Sequence, residues 1–179
     1  MDGRKTMLIW VNVVGGLAVL GSYAHGLASN PNASEALWGG VPLVLRPLYT
    51  VSMLLAAVGY FPLTAYLLFG VDAERARIAG RLGYGWFVFL YVLILVPSTL
   101  WMPLTFMIRS GWSPALWSVI RLVLALVGIG SLALLAALLA LTPRPRGMTY
   151  ALAVTGAVAF CVQTALLDAC VWPAFFPVP

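Results

Sequence analysis

An all-α membrane protein, a five-transmembrane-helix bundle with its N-terminus inside and its C-terminus outside, is the fold class that the sequence predicts, and three observations predict it. The 179 residues are 63% hydrophobic and 8% charged, with a mean hydropathy of +1.01, more apolar surface than a soluble domain can take into its interior. Five uninterrupted apolar runs, 7–27, 48–69, 84–107, 115–141 and 148–171, are each long enough to cross the ~30 Å of hydrocarbon in a bilayer. These runs are continuous and rich in Leu and Ala, without the alternation that a membrane β-barrel requires. The expectation is one transmembrane domain, 1–179, passing several times through a bacterial inner membrane with membrane lipid around it.

Orientation follows from charge. Arg4, Lys5, Arg75, Arg77, Arg81, Arg144 and Arg146 fall on one side of the five runs, and Arg46 and Arg109 on the other. Seven against two is a positive-inside bias that puts the N-terminus in the cytoplasm. The same dispersal, one to three basic residues per loop, excludes the phosphate-tracking patch of a nucleic-acid binder despite the net charge of +5.

The first run carries small residues at Ala18, Ser22 and Gly26, four apart, and the single histidine, His25, near its outer end. One histidine excludes a bis-histidine haem site; His25 is read as an interfacial side chain or as a ligand-binding or proton-handling group. The run exceeds the usual h-region of a cleaved leader, so an uncleaved signal-anchor is expected. The loop 28–47 is the longest between runs, with Asn30-Pro31, Trp38-Gly39-Gly40 and Arg46-Pro47 as turn signals. A loop of that length suits a lid or binding loop, and Trp38 is either part of it or an interfacial anchor.

Pro62 should kink the second run. The charged stretch after it, with Asp72, Glu74, Arg75, Arg77 and Arg81, reads as a solvated inner loop. In the third run Pro97 and Pro103 flank Ser98, Thr99 and Trp101, broken backbone that has to face protein or a wet cavity. Ser113 can cap the fourth helix, with Pro114 in its first turn. In the fifth run Ala153, Ala157, Cys161, Ala165 and Ala169 recur every fourth position, a seam for close packing inside the monomer or between two copies in a homodimer. Cys161 and Cys170, nine residues apart, lie ~13 Å apart on a helix and cannot pair.

Asp168 is the only carboxylate inside an apolar run, where an ionised group needs a partner, hydration or a use. Arg121 is the candidate partner. It lies about as far before the turn at Arg144 and Pro145 as Asp168 lies after it, so an antiparallel hairpin brings both to one depth. Five of seven tryptophans, Trp38, Trp101, Trp112, Trp117 and Trp172, fall on the outer side, whereas an interfacial belt would populate both faces. Two readings follow: an aromatic pocket opening outward, with His25, Arg46, Tyr49, Arg121 and Asp168 as polar groups, or an uneven belt plus one buried ion pair.

Five helices in a Trp-rich chain of this length, with the longest loop after the first, resemble the TspO/MBR (translocator protein, tryptophan-rich sensory protein) family. Ser98, Trp101, Leu104 and Phe106 keep the spacing of that family's Leu-Asn-x-x-Trp-x-x-Leu-Phe-Phe motif, with Ser in place of Asn. Leu167, Asp168, Val171 and Trp172 match its Leu-Asn-x-x-Val/Ile-Trp motif, with Asp in place of Asn. Leu48, Tyr49 and Met53 are similar to its Leu-Tyr-x-x-Met-Gly stretch, one residue out of register, and the Lys-Pro-x-Trp-x-Pro-Pro run of the family is missing.

The resemblance implies a bundle, often homodimeric, that binds porphyrins, sterol-like lipids or similar planar hydrophobic ligands beneath the first loop, through Trp38, Tyr49, Trp101, Asp168 and Trp172. No cofactor is required; porphyrin or haem is a candidate ligand. The change to Asp168 bears on ligand identity, because a carboxylate repels the carboxylates of a tetrapyrrole unless Arg121 neutralises it. The competing expectation is a non-catalytic structural or accessory subunit of a membrane complex. An enzyme using Asp168 and His25 lacks a metal-ligand cluster, a nucleophile motif or paired carboxylates.

Overall fold

Glycine and alanine at matched heights on two helices set the bundle's geometry. In the computed structural model, which describes residues 2–144 and 147–178, the chain forms α1 (Gly3–Ser29), α2 (Ala33–Trp38), α3 (Arg46–Ala65), β1 (Arg77–Ile78), α4 (Gly85–Ser110), α5 (Pro114–Leu139), β2 (Leu141–Thr142), α6 (Met148–Cys161) and α7 (Trp172–Phe175). Two π-helical segments extend α3 over Tyr66–Gly70 and α6 over Val162–Val171. Five helices are thus long and apolar enough to cross a membrane: Gly3–Ser29, Arg46–Gly70, Gly85–Ser110, Pro114–Leu139 and Met148–Phe175. Their outward faces carry large apolar side chains such as Leu17, Leu20, Leu54, Val58 and Phe61, a surface that belongs in hydrocarbon and not in water. The architecture is an all-α, multi-pass membrane bundle.

The expected spans are all present, and their ends move for local reasons. Asp2 caps α1 by accepting from the Arg4 backbone N–H at 2.7 Å, which draws Arg4 and Lys5 into the helix. Ser113 caps α5 and Pro114 occupies its first turn. That helix stops at Leu139, short of the expected 141, because Leu141 and Thr142 pair antiparallel with Ile78 and Arg77. The loop ahead of α4 is therefore no freely solvated stretch. It is clasped to the loop after α5, with Val71, Ala73 and Ala76 buried beneath, and Thr142 Oγ1 donates to the Arg77 carbonyl at 3.2 Å. Pro145 and Arg146, part of the expected turn and of the charge count, lie outside the described residues.

Around the bundle, α3 lies against α6, α6 and its π extension against α5, α5 against α4, and α4 against α1. The ring is closed where Tyr60 Oη donates to Asn12 Oδ1 at 2.6 Å and Arg4 Nη1 donates to the Ala73 carbonyl at 3.1 Å. At the α3–α6 crossing a Cβ added to Gly156 would stand 2.1 Å from the Gly59 carbonyl oxygen. Ala56, Ala153 and Ala157 are buried on either side. The fourfold seam of the fifth run is consequently spent inside the monomer: Ala153, Ala157 and Cys161 are buried, and Ala165 faces Gly128 of α5 at backbone distance. Ala153, Ala157, Cys161 and Ala165 thus all make contacts within the monomer.

In α4 the prolines do not break the helix. Ser98 Oγ donates to the Ile94 carbonyl at 2.7 Å, Thr99 Oγ1 to that of Leu95 at 3.0 Å and Thr105 Oγ1 to that of Trp101 at 2.8 Å, the back-bonding by which hydroxyls keep a proline-bent membrane helix satisfied. Pro97, Met102, Thr105 and Ile108 point inward, as expected for the outer half of the third span.

Placing a leucine at Gly156 forces the two backbones apart. Gly156→Leu should lower stability by about 2 kcal/mol or more, read as a fall in melting temperature of the detergent-solubilised protein. Gly21→Leu, where an added Cβ meets open space, should leave it nearly unchanged, and equal losses at both positions would contradict the crossing.

Candidate functional site

Two apolar cores stack along the bundle. One, around Leu63, Tyr84, Tyr91 and Leu134, fills the end that carries Arg4, Arg77 and Arg81; the other, around Tyr49, Ile120, Leu167, Trp172 and Phe176, fills the opposite, indole-rich end. Between them on the fifth span lie Gln163 and Thr164, both buried. Thr164 Oγ1 donates to the Phe160 carbonyl at 2.8 Å and is hydrogen-bonded to Ser131 Oγ of α5 at 2.7 Å. Gln163 Nε2 donates to Asp168 Oδ1 at 2.8 Å. Residues five apart on a helix of 3.6 residues per turn point about 140° away from each other, and it is the π-helical turn that brings amide and carboxylate onto one face.

The Tyr49 hydroxyl donates to the Leu167 carbonyl at 3.0 Å, fixing α3 to the π segment beside the carboxylate. Above lies a continuous run of rings. Tyr23 and Trp101 have centroids 5.9 Å apart, Trp101 and Trp172 5.9 Å, Trp172 and Phe176 4.8 Å, and Trp117 is stacked on Phe176 at 4.9 Å. The first loop covers them. Trp38, at the end of α2, stands edge-on to Tyr49 under the Arg46 guanidinium, 5.4 Å above its ring. Arg46 also pairs with Glu35 at 3.4 Å. Trp172 Nε1 donates to the Leu37 carbonyl at 2.8 Å, and Gly40 packs so closely that a Cβ there would overlap the Phe175 carbonyl oxygen.

Of the residues singled out from the sequence, Trp38, Tyr49, Trp101, Asp168 and Trp172 come together; Arg121 and His25 do not. Arg121 follows the buried Ile120 by one position and lies on the exposed face of α5 with Leu122. Among the described residues it makes no ion pair, so the expected Arg121–Asp168 bridge is replaced by the Gln163–Asp168 hydrogen bond. His25 is exposed on α1, its Nδ1 3.4 Å from Ser29 Oγ, and makes no contact with Asp168 for acid–base work. At the indole-rich end, where an open mouth is expected, the rings touch one another. The described cavities, of about 420 and 520 Å³, lie at the basic end, against Asp2 and Lys5 and against Arg4 and Arg81.

Two side-chain atoms among the described residues are buried without a hydrogen-bond partner, the indole N–H of Trp101 and the amide oxygen of Gln163. Each such group costs about 1–3 kcal/mol relative to a satisfied one. Gln163, Tyr23 and Phe176 escaped the sequence reading: Gln163 joins Asp168 only through the π turn, and Phe176 lies beyond the last apolar run. Among the described residues no guanidinium pairs with Asp168. Comparison of the chain with protein-family models, with curated proteins and with solved structures finds no match.

Proposed function

We propose that the chain is a membrane-embedded binder of a planar hydrophobic ligand, a sensor or carrier of the TspO type, with the ligand lying against Trp101 and Trp172 beneath the first loop. The observation that carries this reading is the pair of unmatched buried groups, the Trp101 N–H and the Gln163 Oε1. A hydroxyl on the ligand can accept from the first or donate to the second, and stacked rings supply apolar walls. An uncharged, hydroxyl-bearing ring system such as a sterol suits the site better than a tetrapyrrole with two carboxylates, given Asp168 and the outward position of Arg121. The N-terminus is assigned to the cytoplasm on the seven-to-two distribution of basic residues, which turns the indole end outward.

A second reading, a structural or accessory subunit, is favoured by one feature: the rings touch one another, as in a core. The two readings differ in a titration of detergent-purified protein with a fluorescent sterol, followed by energy transfer from tryptophan. Ligand binding gives a saturable signal, weakened roughly tenfold by Trp101→Phe, the worth of one lost hydrogen bond. A scaffold gives only a linear, non-saturating rise that Trp101→Phe does not change.

Charge selection is tested separately. Asp168→Asn keeps a hydrogen-bonding group for Gln163 and removes the anion; protoporphyrin should then bind about tenfold more tightly while the sterol shifts less than about twofold. An unchanged protoporphyrin affinity would remove Asp168 from the ligand's path. For orientation, in a background with Cys161→Ala and Cys170→Ala, since Cys170 is itself exposed, a membrane-impermeant maleimide should label Ser34→Cys in intact spheroplasts and Arg75→Cys only after lysis; the opposite order inverts the assignment.

A further inference from the structure

Three guanidiniums from separate elements converge on one cavity at the basic end. Arg4 of α1, Arg77 of β1 and Arg81 of the turn ahead of α4 line a space of about 520 Å³, together with Glu74, Leu82 and Trp86. Arg4 and Arg77 are anchored through Nη1 alone, Arg4 to the Ala73 carbonyl at 3.1 Å and Arg77 to the carbonyls of Glu74 and Ala76 at 3.0 and 2.8 Å. Their remaining N–H groups are uncommitted. The Arg81 side chain makes no hydrogen bond or ion pair among the described residues. Three positive charges therefore face one carboxylate, Glu74, which itself has no ion-pair partner among the described residues.

The depth of this cavity is set by the fold. It opens where α1 and α4 begin, at the level where apolar spans give way to polar loops. Directly along α4 the surface turns apolar: Trp86 is stacked on Phe89, centroids 5.0 Å apart, and Phe89 and Leu82 are exposed. Guanidinium forks match phosphate oxygens, and the hydrocarbon next to them has its own counterpart in the exposed Phe89 and Leu82. We propose that this cavity binds the phosphate of an anionic phospholipid, the headgroup seated among Arg4, Arg77 and Arg81 and an acyl chain lying along Trp86 and Phe89. A free phosphate shares the headgroup's chemistry but makes no use of the apolar strip.

The test uses the full chain in mild detergent, with native mass spectrometry reading retention of dioctanoyl phosphatidylglycerol against dioctanoyl phosphatidylcholine. The wild type should prefer the anionic lipid by at least about tenfold, since each nearby guanidinium contributes roughly fivefold. Arg81→Gln, which breaks no internal bond, should reduce the preference about fivefold, and Arg4→Gln with Arg81→Gln should nearly abolish it. Arg109→Gln, at the far end of α4, should leave it intact. Equal retention of the two lipids, or a preference that survives the double substitution, overturns the proposal. Displacement of phosphatidylglycerol by inorganic phosphate at comparable concentration overturns it in favour of a free anion.

Discussion

The approach of Gly59 to Gly156 is the constraint on which the rest of the structure depends. In a bilayer the hydrophobic effect does not press helices together, because lipid tails are as apolar as leucine. What holds them is close packing, and packing is closest where two backbones meet without side chains between them. The fifth span has to offer such a face twice. Its first half presents Ala153, Gly156 and Ala157 to α3, and its second half presents Thr164 and Ala165 to Gly128 of α5. A uniform α-helix with a fourfold small-residue repeat holds those residues along one slowly drifting stripe. The widened turn from Val162 shifts the stripe between neighbours, and π segments of this kind are common at functional sites.

That change of pitch explains what could and could not be read from the residues. The spans were legible because length and apolarity are properties of composition, and the helix start at Ser113-Pro114 because capping chemistry is local. The indole cluster was legible in part, since Trp38, Trp101 and Trp172 could be assigned to one end by counting crossings. The Arg121–Asp168 pair failed for a specific reason. Counting residues from a turn estimates depth, but contact also requires azimuth, and azimuth along the fifth span depends on a pitch that no residue type announces. Arg121 sits one position past the inward Ile120, a step of about 100° on a regular helix, and so faces outward. The clasp of β1 and β2 was invisible for another reason: two residues per strand carry no periodicity at all.

The missing cation changes the character of Asp168. A bridged carboxylate would have been a strut between α5 and the fifth span, complete in itself. Held instead by one amide, that of Gln163, it lies on the same span as an unmatched amide oxygen, and the indole N–H of Trp101 is buried without a partner as well. An unmatched donor and an unmatched acceptor are thus both buried in the bundle. A purely structural core would do better with apolar side chains of the same volume, because half-satisfied polar networks are worse than none.

The loop above this place is held by three contacts of different kinds. Arg46 ties it to Glu35 and to the face of Trp38; Trp172 ties it to the Leu37 carbonyl; Gly40 lies on the backbone of Phe175. Two of the three are made by residues just past the π segment, and Tyr49, beside Arg46 in α3, bonds to Leu167 within it. Any widening of the space between Trp101 and Trp172 therefore moves the attachment points of the loop as well. Ring spacing and loop position are coupled through the fifth span, which makes the carboxylate, the rings and the cover one mechanical unit and not three separate features.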